Sequence, residues 1–171
     1  MKKSNPMLRM FSCVILMMLL VIAAGAAVKP QAIVFAVGNR DRIARQADLL
    51  YRVQDELLST TDAGQHYINL FYENTVEITT ILYNNPDLDD HGLDVIDDLT
   101  PNLEALLDGR GDTVAITAGQ VGRAQAFLDE FLPYASPKLR QAISDERRRR
   151  PLENMVGMTM DQAWAYLNSS Q

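Results

Sequence analysis

Residues 41–59 read DRIARQADLLYRVQDELLS. Ile43, Ala47, Leu50, Val53 and Leu57 recur in steps of three and four, so they fall on one side of a helix. Arg40, Arg42, Arg45, Asp48, Arg52, Asp55 and Glu56 fill most of the positions between them. A stripe of that kind, charged on its other face, predicts an amphipathic helix over Asp41–Ser59 that packs against others of its kind.

The stretch that follows extends the pattern. Ser59-Thr60-Thr61-Asp62 is rich in residues whose short side chains cap helix N-termini. The spacing then predicts a helix from about Asp62 to Tyr83, with a broad apolar face of Tyr67, Ile68, Phe71, Tyr72, Ile78, Ile81 and Leu82. Asn84-Asn85-Pro86 stops it. Leu93, Ile96 and Leu99 step through an acidic segment at helical spacing. Thr100-Pro101 is read as a cap with proline at the first helical position, so a short helix, a break and a second helix over Pro101–Asp108 are expected; one kinked helix is the alternative. Gly109 supplies the C-terminal stop.

Thr113–Ile116 reads as a short extended piece. Thr117 and Gln120 form a capping box ahead of Val121, Ala124, Leu128, Phe131 and Leu132. Ser136-Pro137 opens a helix to about Arg149, which Pro151 ends. Thr159 and Gln162 form a second capping box before a last helix carrying Trp164 and Leu167. A helix that short is marginal in isolation, so it is expected to pack onto the body and not to trail as a tail. The expected fold is all-α, an irregular bundle or orthogonal array of about six short helices over 41–171, after an N-terminal signal or anchor segment (1–27) and a lead-in (28–40).

Composition agrees. Aromatic residues make up only 7% of the 171 residues, while Leu, Ala and Met abound, which favours helices over sheet. A body of ~145 residues buries about two-thirds of its unfolded surface, so it needs no disulfide or metal staple. Cys13 is the single cysteine and lies within the N-terminal apolar run. Its loss with a signal peptide leaves no thiol chemistry in the body.

Met1–Arg9 is basic, Met10–Ala27 is uncharged over 18 residues, and small residues cluster at Ala23 through Ala27. A basic start, an apolar core and a small-residue exit describe a secretory signal, with Ala24-Gly25-Ala26 as the best cleavage pattern. An uncleaved single-pass anchor is the rival, with the body outside the cytoplasm in either case. The apolar patch Ile33–Val37 is too short to span. Removing the three cations Lys2, Lys3 and Arg9 takes the formal charge from −6 to −9. Such a body repels phosphate backbones, so no nucleic-acid partner is expected.

Asp55 through Glu73, an acidic pair, a leucine pair, a turn with Gly64 and a helix with paired aromatics, resembles the segment after the cysteine-phenylalanine-isoleucine box in CFI-box C-terminal domains, although the cysteine box itself is missing. Arg150-Pro151-Leu152-Glu153 with Gly157 through Trp164 is similar to the tails of uncharacterised secreted bacterial proteins. The resemblance implies an extracytoplasmic bacterial setting and carries over no site residue.

Each chemical motif has a plainer reading. Asp87, Asp89, His91, Gly92 and Asp98 fall at positions 1, 3, 5, 6 and 12 of a calcium loop, but histidine at 5, Asp94 at 8 and a short Asp at 12 are wrong for one. A solvated acidic first turn is expected instead. Arg147–Arg150 reads as a solvated helix end whose cations complement the dipole. Arg110-Gly111-Asp112 reads as a turn. His66 is expected on a helix surface beside Asp62, four residues before it, and His91 has no partner ligand in sequence for zinc. Ser59, Ser136, Ser144, Ser169 and Ser170 sit mostly at caps and ends. Glu73 and Glu77 form a helical pair on a solvated face. Tyr67, Phe71, Tyr72, Trp164 and Tyr166 are read as core, with a ligand pocket or partner groove as the alternative. No catalytic, cofactor-binding or metal-ligating residue is assigned. The functional expectation is a non-enzymatic exported binding or structural module of the cell envelope or secreted space, whose partner is an envelope or extracellular protein. The alternatives are a membrane-tethered regulatory domain held by residues 10–27 and a carboxylate-dependent hydrolase.

Overall fold

The computed structural model describes residues 40–169. The signal or anchor segment expected over 1–27 and the lead-in up to residue 39, with its patch Ile33–Val37, lie outside the described residues, as does Ser170. Within them the fold is all-α. Six α-helices follow one another: α1 Arg40–Arg52, α2 Asp62–Asn84, α3 Pro86–Leu107, α4 Ala118–Phe131, α5 Pro137–Arg149 and α6 Met160–Asn168.

The caps read from sequence form. The Thr61 side chain accepts from the Gly64 amide at 3.0 Å, Ser136 Oγ accepts from Leu139 at 3.2 Å, and both capping boxes close in both directions. Each cap stabilises its helix by about 1 kcal/mol. Asn85 terminates α2 and Pro86 opens α3 directly, with no linker between. Gly109, at φ +69°, ends α3. Its amide donates to Leu106 and that of Arg110 to Ala105, the Schellman pairing that requires a left-handed residue at this position.

Two elements depart from expectation. The helix over Asp41–Ser59 is not regular to its end: after Arg52 it widens into a π turn, Val53–Leu57, and then tightens into a 3-10 turn, Leu58–Thr60. The core explains this. Val53 and Leu58, five residues apart, are both buried, and that spacing stacks only when an extra residue enters the turn. Leu57, the position the regular stripe assigned to the core, is only partly buried. Leu58 is pressed against α2 so closely that a Cβ on Gly64 would stand 2.1 Å from its carbonyl oxygen.

The second departure is α3. The break at Thr100-Pro101 does not occur, and one helix runs through Pro101. Pro101 is exposed, so the bond it cannot donate is missing on the solvent side, where water can satisfy the carbonyl. Thr100 Oγ1 donates back to Ile96 O at 2.9 Å. Leu99, Asn102 and Leu103 are buried around it and hold the rod to the core.

This long helix is the spine of the molecule, packing against α1, α2, α4 and α6. Phe127 and Phe131 of α4, Leu139 and Ile143 of α5, and Met160, Ala163 and Leu167 of α6 complete one continuous core. The extended piece is real but shorter, since Gly111–Thr113 forms a 3-10 turn. Val114–Ile116 pairs with the chain entering α6: Ile116 N donates to Met158 O at 2.9 Å, Gly157 N to Ile116 O at 2.8 Å and Met160 N to Val114 O at 3.0 Å. The last helix is thereby clamped to the body, as its length required.

Candidate binding surface

The polar motifs are drawn into the architecture. Residues 87–98 lie within the continuous helix α3, so the twelve-residue register is a rod and not a calcium loop. Gly92 is buried against Phe127, whose ring would stand 3.1 Å from an added Cβ. Asp97 accepts from Gln46 Nε2 at 2.5 Å, and Asp98 accepts from Arg123 Nε at 2.6 Å. Burial, helped by the neighbouring Asp90 charge, raises the Asp89 carboxyl above its usual range. His91 pairs with Glu130 at 2.8 Å and stands edge-on to Phe127.

His66 does not pair with Asp62 as expected. Its Nε2 lies 3.3 Å from Glu146 Oε1 and 3.1 Å from Arg149 Nη1, across the gap between α2 and α5. Arg149 also donates to Glu146 Oε1 at 3.2 Å. A cation facing the same imidazole nitrogen disfavours a metal there. The network ties the end of α5 to the start of α2.

The arginine run is a solvated end only in part, since Arg148 is exposed while its neighbours reach other elements. Arg147 reaches Asp129 on α4 at 2.5 Å, and Arg148 pairs with Asp145. Arg150 has no exposed surface. Its Nη2 donates to Ser169 O at 3.1 Å, and its guanidinium lies 4.6 Å over the Tyr166 ring. Burial pulls its pKa down to about 10 against the stabilising hydrogen bond with Tyr166. Charge runs are solvated by habit, but Arg150 is the first residue past α5, where Pro151 turns the chain inward under α6. The proline and the distant tyrosine were the available signals.

The remaining motifs are structural too. In Arg110-Gly111-Asp112, Gly111 is buried, and a Cβ there would meet Asp161 Oδ1 at 2.1 Å. Glu77 is no solvated partner of Glu73, because its carboxylate accepts from Ser136 N at 2.6 Å and from Ser136 Oγ at 3.0 Å, strapping α5 to α2. Tyr67 and Phe71 are core, and Trp164 and Tyr166 pack against it partly buried. Val53, Leu57, Leu106, Met155 and Trp164 line an apolar cavity of about 30 Å³. Its lining is apolar, so it offers a water no hydrogen-bond partner.

Tyr72 does not belong to the core. With Val76 and Tyr83 it stands on the outer face of α2, exposed by 61%, 81% and 72% respectively. Thr79 and Thr80 complete this face. Thr79 Oγ1 donates to Thr75 O at 2.8 Å and Thr80 Oγ1 to Val76 O at 2.7 Å, so their hydroxyls are spent on their own helix and their methyls remain for a neighbour. Between Asn74 and Asn84 the only charged side chain is Glu77, already held by Ser136. The outer faces of other helices are different: α3 exposes Asp87, Asp90, Asp94, Asp97 and Glu104, and α5 exposes Lys138, Arg140 and Arg148. Sequence reading placed Tyr72 inside because it neighbours Phe71. The signal it missed is angular, since Tyr72, Val76 and Tyr83 fall about 100° or more around the helix from Phe71, Ile78 and Ile81. Compared with protein-family models, with curated protein sequences and with solved structures, the chain matches none.

Proposed function

We propose that this chain is a non-catalytic, exported helical binding module whose working surface is the outer face of α2. The observation that carries the reading is the uncharged stripe of Tyr72, Val76 and Tyr83, left in water on a helix whose other side is fully packed. Three large exposed apolar residues aligned on one helix, with charge depleted around them, match the composition of protein interfaces, where tyrosine is enriched and charge excluded. The polar clusters support the same reading, because His66, Glu77, Asp98, Glu146 and Arg147 are spent on joining helices. The N-terminal sequence supports export, with the partner an envelope or extracellular protein.

The test is a photo-reactive amino acid placed at position 76 in intact cells, against the same probe at position 90 on the acidic face of α3. The expected result is adducts at position 76 and none at position 90. Equal labelling of both faces, or none at position 76, overturns the proposal.

A further inference from the structure

We propose that His66 is an acid-operated switch set between α2 and α5. Its Nε2 touches two groups with opposite needs. Arg149 Nη1, 3.1 Å away, is a donor and needs a lone pair on that nitrogen. Glu146 Oε1, 3.3 Å away, is an acceptor and needs a proton there. One nitrogen serves one of them at a time. The neutral ring with its proton on Nδ1 holds Arg149, and Arg149 in turn donates to Glu146 Oε1 at 3.2 Å. A proton arriving at Nε2 removes the lone pair, sets two cations face to face and gives Glu146 a charged donor. The imidazole then closes on Glu146, and the Arg149 guanidinium leaves the gap.

Glu146 has capacity for the new bond: it is buried, and its Oε2 receives no hydrogen bond among the described residues. Arg149 has somewhere to go, since it lies in the last turn of α5, partly exposed, next to exposed Arg148. The imidazole is itself open to solvent, and the Tyr67 ring, edge-on at 5.4 Å, fixes its tilt. The other charged or titratable groups around the trio are Asp62, exposed one turn earlier on α2, Asp145, paired with Arg148, and Arg150, whose guanidinium lies over Tyr166 of α6. Of all these side-chain types, imidazole is the one that ordinarily changes charge between pH 5 and 8. His91 supplies a contrast. Its Nδ1 meets the acceptor Glu130 at 2.8 Å with no cation on the same nitrogen among the described residues, so a proton there tightens an existing pair and displaces nothing. At His66 acid instead presents Arg149 to solvent beside Arg148, at one end of a chain whose formal charge is −6.

Double-mutant cycles on the full chain in an uncharged detergent, read as thermal melts in mildly alkaline and mildly acid buffer, test the switch. In alkali the losses caused by His66→Ala and Arg149→Met are expected to overlap, the double variant losing on the order of 3 °C less than their sum. In acid that overlap is expected to vanish or reverse. The cycle of His66→Ala with Glu146→Gln is expected to run the other way, with the larger coupling in acid. His91→Ala is expected to leave both cycles unchanged. Ring-nitrogen NMR of the parent chain, with His66→Ala for assignment, is expected to place the proton of the neutral ring on Nδ1, and it reads the switch even where Glu146→Gln fails to fold. A His66–Arg149 coupling that is the same in acid and alkali overturns the proposal, and so does a neutral ring that carries its proton on Nε2.

Discussion

Arg150 shows how a single residue can be misread from its neighbours. In sequence it completes a run of four cations, while in the fold it is walled in by Tyr67, Tyr166 and the Ser169 carbonyl. Because its folded-state pKa lies below the unfolded one, folding favours the neutral form. The resulting penalty is fully present at neutral pH and is relieved as pH rises through about 10. Replacing a buried charge with an apolar side chain of similar volume is often neutral or stabilising. Arg150→Met is therefore expected to melt at or above the temperature of the parent and to lose the alkaline rise, whereas Arg150→Ala, which leaves a void, is expected to cost about 3 kcal/mol. Thermal melts at neutral and alkaline pH check both, and an Arg150→Met variant that unfolds would show that the ionic contacts outweigh the burial. Two glycines make a sharper contrast. Gly122 has nothing within 4 Å of an added Cβ and lies inside α4, so Gly122→Ala should stabilise by up to about 1 kcal/mol. Gly64→Ala meets the Leu58 backbone and should destabilise by at least ~3 kcal/mol. Urea titration of the two variants measures the difference.

At the scale of elements, proline and the π turn mark what local sequence can reveal. If Thr100-Pro101 opened a new helix, proline would suit its position and Pro101→Ala would be neutral or harmful. In a continuous α3 the substitution restores a backbone donor at an exposed site, and a gain of roughly 1–2 kcal/mol is expected, less than the full interior penalty because unfolded-chain entropy rises too. A loss of stability in the melt would argue for the break. The helix starts were legible because a cap is local: Thr61, Thr117, Ser136 and Thr159 each carry their own hydrogen-bonding geometry with a residue three positions on. The π turn was not, because it arises from the demand that Val53 and Leu58 both reach a core built from the rest of the chain. Trp164 lies between these cases. Its helix is capped and clamped as expected, but the indole is only partly buried beside a small void. Trp164→Ala should accordingly cost about 2 kcal/mol, below the range for fully buried aromatics. Its emission should be blue-shifted when folded and move red on unfolding, and a red, freely quenched indole in the native protein would contradict the packing.

For the whole molecule, the division between fold and surface explains why the fold class was readable and the exposed face of α2 was not. Core positions repeat with the helical period, so Leu50, Phe71, Leu93 and Leu128 declare themselves. Tyr72, Val76 and Tyr83 repeat with the same period on a second stripe, and although their angle sets them apart from Phe71, Ile78 and Ile81, the period alone does not say which stripe is covered. Only the neighbours of α2 decide which stripe is covered. That same closure bears on the N-terminus. All six helices contribute to one core drawn from residues 49–167, and the polar side chains are tied between helices within that span. Among the described residues that core is continuous, and we expect loss of the N-terminal apolar run to leave it standing. We expect export to remove that run, so that the mature chain begins at Ala27 or within a few residues of it, as the small residues Ala24-Gly25-Ala26 direct. N-terminal sequencing of protein from the envelope or medium reads the start, and the cleaved chain should melt at the same temperature as the whole one in matched detergent. Intact Met1 in the membrane fraction would make the run an anchor holding the same body outside the cytoplasm. Intact Met1 in the soluble cytoplasm would defeat export altogether, and a large drop in melting temperature on cleavage would defeat the independence of the body.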